Sequence, residues 1–161
     1  MVDIQTVSIV IASAGVVAGI VYYALQVRHQ TKIRQTDLIM RLHSQVCSKE
    51  FVDAYLKISN LKFKDYSDFV EKYGPLYVEG PEQTAIVMCA MFMEGIGVLL
   101  HRKLVDIEAM RELFPIVSGW EKLEPVLIGT RRQLGSPRVY EWFEYLYNET
   151  KKREQKLQSK A

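Results

Sequence analysis

Glu94 is the only formal charge in the most apolar stretch outside the N-terminus, Thr84 to Leu100. On a helix, its neighbours three and four positions away are Met91, Ala90, Gly97 and Val98, so its own helix offers no cation. A carboxylate held among apolar side chains must take a partner from another element or take up a proton. Arg41, Arg131, Arg132 and His43 are the candidate partners, and Gly95 and Gly97 would let a second helix come close. The expectation is a structural ion pair. The competing reading is a polar pocket around Glu94 that binds a ligand or metal, or does catalysis, with His43, His101 or an arginine as partner. His101 lies two turns beyond Glu94 on about the same face, beside Arg102 and Lys103, and a half-exposed position is expected. His29 and His43 read as surface or packing residues.

Met88, Cys89, Met91 and Met93 are soft sulfur ligands of the kind that suits Cu(I). Helical spacing puts Met88 and Met91 on one face and Cys89 and Met93 on another, which favours core filling over a metal site. The sequence holds no G-x-x-x-x-G-K-[ST], G-x-G-x-x-G, H-E-x-x-H, C-x-x-C or E-x-x-H, so the spacings for phosphate, dinucleotide, zinc and di-iron chemistry are missing. No Ser or Cys is singled out as a nucleophile. No catalytic residue, metal or cofactor is assigned. Cys47 and Cys89 read as packed thiols rather than a disulfide pair.

The elements that would carry these residues are helices. Apolar positions follow the helical period throughout, and no alternating run argues for a sheet. The run Ile4 to Val27 contains no formal charge. As a helix it spans about 36 Å, enough to cross a hydrocarbon core of about 30 Å. Only Asp3 precedes it among charged residues, whereas a secretory signal has a basic leader, so an uncleaved anchor is expected over residues 1–27. Arg28, Lys32 and Arg34 follow immediately. By the positive-inside rule the N-terminus is outside and the rest cytoplasmic, with Tyr22 and Tyr23 at the interface.

Within the span, Ser8, Ala12, Gly15, Gly19 and Tyr22 recur at alternating spacings of four and three and line one stripe, with Gly15 and Gly19 as a G-x-x-x-G pair. Small residues let helices approach closely in lipid, so the stripe fits a dimer seam or a groove for a partner's span. Gly and Ala are also common in spans without such a role.

Beyond the anchor, residues 28–150 fit one helical bundle domain. A stalk helix should run from Arg28 towards Asn60 with Ile39, Leu42, Val46, Phe51, Ala54, Tyr55 and Ile58 on one face. A short helix should cover Asp65 to Tyr73 and stop at Gly74-Pro75. Pro81 should open a central bundle helix reaching about Lys103. Asp106 should cap a helix ending before Pro115. Pro125 should kink or split a helix spanning Ile116 to Leu134. Gly135, Ser136 and Pro137 should supply a stop, a cap and a first helical position. The last helix buries Val139, Trp142, Phe143 and Leu146, part of an aromatic cluster with Tyr140, Tyr145 and Tyr147. Residues 151–161 read as a charged flexible tail. The formal charge of +2 is too small for a nucleic-acid reader.

The order of charge-poor anchor, stalk with Leu42-His43 and Glu50-Phe51, apolar helix with Phe92 to Gly95, and closing Gly135-Ser136-Pro137-Arg138-Val139-Tyr140-Glu141-Trp142-Phe143 resembles a family of uncharacterised single-span, membrane-anchored helical proteins of bacteria and archaea, a domain of unknown function. The resemblance implies the architecture and brings no catalytic residues. The combined expectation is an all-α protein: an N-terminal transmembrane helix continuing into a stalk and a cytoplasmic bundle. It would act as a scaffold, accessory subunit or regulator, with the lipid bilayer and either a second copy or another membrane protein as partners.

Overall fold

The computed structural model describes residues 3–159; the outermost ends of the expected anchor and tail, 1–2 and 160–161, lie outside the described residues. Among the described residues there are seven helices and no strand: α1 (Ile4–Val46), α2 (Lys49–Asn60), α3 (Tyr66–Tyr73), α4 (Pro81–His101), α5 (Ile107–Leu113), α6 (Ile116–Leu134) and α7 (Glu141–Gln158). The protein is all-α. It divides into two units, residues 1–40 and 41–161.

The first unit is helical from Ile4. Two of its hydroxyls bond to the backbone one turn back: that of Ser8 donates to the Ile4 carbonyl at 3.0 Å, and Thr31 Oγ1 to that of Val27 at 2.9 Å. Among the described residues two helices are long and apolar enough to cross a membrane by length and composition, the segment Ile11–Val46 of α1 and the whole of α4. They differ in burial. None of the apolar window of the first is covered, whereas α4 packs against α2 and α7 and leaves Ile86, Ala90 and Ile96 with no exposed surface. A central bundle helix is what α4 is.

In the second unit α7 lies against α4, α6 and α5, and α3 against α6. Trp120 and Phe143 meet edge to face at 5.1 Å, and Phe51 meets Phe92 at 5.0 Å. Local signals end and start the helices much as the sequence suggests. Asp65 and Asp106 each accept amide protons from the turn they cap, Gly74 and Gly135 close α3 and α6 with positive φ, and Pro81 opens α4.

Three boundaries differ from expectation. The helix from Arg28 does not reach Asn60: Ser48 is extended and its hydroxyl accepts from the Phe51 amide at 3.3 Å, so a new helix starts there. Of the two outcomes open at Pro125, the split is excluded, since α6 is one helix from Ile116 to Leu134 with Pro125 inside it. Ser136 and Pro137 do not open α7; a turn intervenes and the cap residue is Tyr140 in the left-handed region. Finally, α7 continues to Gln158 instead of ending near Lys151. The charged segment is held by Lys151 pairing with Glu121 at 3.1 Å and Arg153 pairing with Glu108.

Candidate functional site

Glu94 sits where α4 meets the start of α7. The approach is close because Gly97 has no side chain: a Cβ there would lie 2.0 Å from the Trp142 carbonyl oxygen. Gly95 faces open space and plays no part in the contact. At this crossing the half-buried Glu94 carboxylate accepts from the Phe143 amide at 2.7 Å, and the Trp142 amide beside it also favours the ionised form. Those are donors of the first turn of α7, which have no partner within their own helix. Tyr140, the cap residue, has φ of 57° and supplies no side-chain cap. A carboxylate from α4 therefore does the work that Ser, Asp or Asn usually does from the cap position.

The expected ion pair is thus a helix cap. Arg131 does not pair with Glu94 directly. Its Nε donates to the Val139 carbonyl at 2.6 Å, Nη2 to the Tyr140 carbonyl at 3.0 Å, and Nη1 to Glu144 at 2.5 Å. One guanidinium so holds the carbonyls of the turn whose following amides Glu94 holds. Tyr77 completes the clasp, its hydroxyl donating to the buried Tyr140 hydroxyl at 3.1 Å. Burial pushes the Tyr140 hydroxyl well above its ordinary range. Burial also raises the Glu94 carboxyl, opposed by the two amides; Glu141 adds to the rise and Arg131 reduces it.

Arg132, His43 and His101 have other surroundings. Arg132 is exposed beside an open cleft of about 600 Å³ between α3 and α6, with Asp65, Glu124 and Gln133. His43 lies 3.8 Å from the exposed Cys47 sulfur, which corrects the expectation that both cysteines are packed. Cys89 is buried and its thiol is pushed up to about 11 by desolvation. His101 is exposed and lies against Trp142 and Tyr145, with ring centres 4.5 and 5.6 Å away. The four sulfurs of α4 diverge: Cys89 and Met93 enter the core, while Met91 faces outward. Among the described residues no three His, Cys, Asp or Glu side chains are placed to hold a metal ion.

Sequence reasoning singled out Glu94 but missed its partner, because backbone amides leave no residue-type signature. It also missed Gln83, which is 2% exposed and whose amide donates to the Tyr73 carbonyl. A signal was available, since Gln83 stands third in α4, where a Gln side chain folds back over the cap residue Gly80. The span residues Ser8, Ala12, Gly15, Gly19 and Tyr22, with Tyr23, Arg28, Lys32 and Arg34, all lie exposed on α1.

Comparison with curated proteins and with solved structures finds no match in either. A family profile matches residues 9–150, nearly the whole of both units, so the chain belongs to the DUF4760 family, a domain of unknown function.

Proposed function

We propose that the protein is a membrane-anchored interaction module: residues 1–27 cross the bilayer, and the bundle acts on its cytoplasmic side as a scaffold, accessory subunit or regulator of a membrane complex. The observation that carries the reading is the helix Ile4–Val46, whose uncharged run has no cover within the chain while the charges Arg28, Lys32 and Arg34 follow on one side only. Anchoring would work by effective concentration, since confinement to a surface raises encounter with other membrane components. The sequence-based partition into anchor, bundle and tail belongs to the same proposal, with the tail shortened by the reach of α7 to Gln158.

A ligand- or metal-binding pocket, or an enzyme, around Glu94 is the weaker reading, because its carboxylate already accepts the Phe143 amide at the start of α7. The test compares the full chain with one lacking residues 1–27 in alkaline extraction of membranes and in detergent pull-down. Retention of the full chain in the bilayer, and a partner lost on deletion, support the proposal. Release of the full chain by alkali would end it. A small molecule recovered with the shortened chain, and lost in Glu94→Gln without unfolding, would favour the pocket.

A further inference from the structure

Among the described residues, Gln83 Oε1 is the only buried side-chain oxygen or nitrogen without a hydrogen-bond partner. A buried acceptor left unpaired costs free energy and calls for a donor. The side-chain amide cannot turn round to remove the deficit, because Nε2 donates to the Tyr73 carbonyl, which only a donor can serve. Gln83 also lines a recess of about 410 Å³ between the segment Leu76 to Val78 and the first turns of α4. The rest of that lining is apolar or already bonded. Leu76, Val78, Val87 and Met88 bring apolar side chains, the Thr84 hydroxyl donates to the Gly80 carbonyl at 2.8 Å, and the Tyr77 hydroxyl donates to Tyr140.

We propose that this recess binds a small neutral aromatic molecule that donates one hydrogen bond, of the indole type, with its ring against Tyr77, Val87 and Met88 and its N–H on Gln83 Oε1. The chemistry follows from the lining. One free acceptor among apolar walls selects a molecule with a donor and no acceptor, and an indole N–H is such a group. A tyrosine ring and a thioether suit an aromatic body, and the volume falls in the range of small-molecule sites. Oε1 is covered, so the molecule reaches it by shifting Tyr77 and Val78, whose side chains are 54% and 48% exposed. Their segment can yield: among the described residues, Pro75 to Glu79 make no backbone-to-backbone hydrogen bond. The inference stands apart from the anchor reading.

The experiment uses the full chain in lipid nanodiscs, isotope-labelled at its methionine methyls, with Met88 assigned by Met88→Leu. It is titrated with indole and with N-methylindole, which keeps the ring and lacks the donor. The expected result is a saturable shift of the Met88 methyl by indole, with no response at the exposed Met40. N-methylindole should bind about tenfold more weakly, the worth of one bond to an otherwise unpaired buried acceptor. Val87→Phe fills the recess from a half-buried position, leaves Gln83 in place, and should abolish the indole shift while the other methyl resonances stay put. Equal binding of the two compounds by the native chain would overturn the proposal. So would an absent shift, one that survives Val87→Phe, or one shared with Met40 that never saturates, which is partition into lipid.

Discussion

Two glycines two residues apart on α4 should respond to alanine in opposite ways. Gly97 meets the Trp142 backbone, and a methyl group 2.0 Å from a carbonyl oxygen has no flexible side chain to displace; α4 and α7 must move apart. Gly97→Ala should cost about 3 kcal/mol, at the upper end for overpacking. Gly95 has nothing near its absent Cβ, so Gly95→Ala should add about 1 kcal/mol through helix propensity alone. Denaturant titration of the full chain in detergent reads both, and equal effects would refute the close crossing. The cap gives a second prediction, with a sign. Because the Glu94 carboxyl is raised in the fold, the folded protein holds its proton to higher pH than the unfolded chain. The ionisation of Glu94 therefore costs stability as pH rises from about 4.5, the ordinary carboxyl value, through the folded value, and nothing further above it. Against Glu94→Gln, which does not titrate, the native chain should lose ground between pH 4.5 and 7.5. A gain over that interval would mean that the two amides outweigh desolvation.

Helix ends show what could and could not be foreseen. Caps built from adjacent residues were legible, as at Asp65, Gly74, Pro81, Asp106 and Gly135, because a side chain or a special φ serves amides or carbonyls a few residues away. The Ser48 cap was equally local and was overridden by an apolar periodicity that runs across the break. The start of α7 was not legible, since its cap comes from Glu94 and its turn from Arg131, 49 and 8 residues from the groups they bind. Arg131 therefore supports an element, not a charge pair. Arg131→Lys keeps the charge but replaces a planar fork by a single ammonium that cannot serve Val139, Tyr140 and Glu144 together. A loss of about 2 kcal/mol is expected. Amide exchange should quicken first at residues 141–146; uniform quickening over all helices would show that Arg131 has no local role.

Across the whole chain, the uncharged helix and the bundle were each readable because a helix left uncovered by the chain and one buried in the bundle carry different patterns of charge. The run Ile4 to Val27 carries no charge and none of its apolar window is covered by the chain, whereas α4 carries Glu94 and buries one side in the bundle. The same contrast yields a prediction about two charges. Val17→Arg places a guanidinium mid-span, where insertion of an arginine costs about 3 kcal/mol, and should shift the chain from the membrane to the alkali-soluble fraction without lowering the bundle's stability. Met91→Arg adds the same charge to the exposed face of α4, which the anchor reading leaves in water. It should change neither membrane retention nor folding. If Met91→Arg instead released or unfolded the protein, α4 would have an apolar neighbour outside this chain. If Val17→Arg left retention unchanged, the uncharged run would not be what holds the protein to the bilayer.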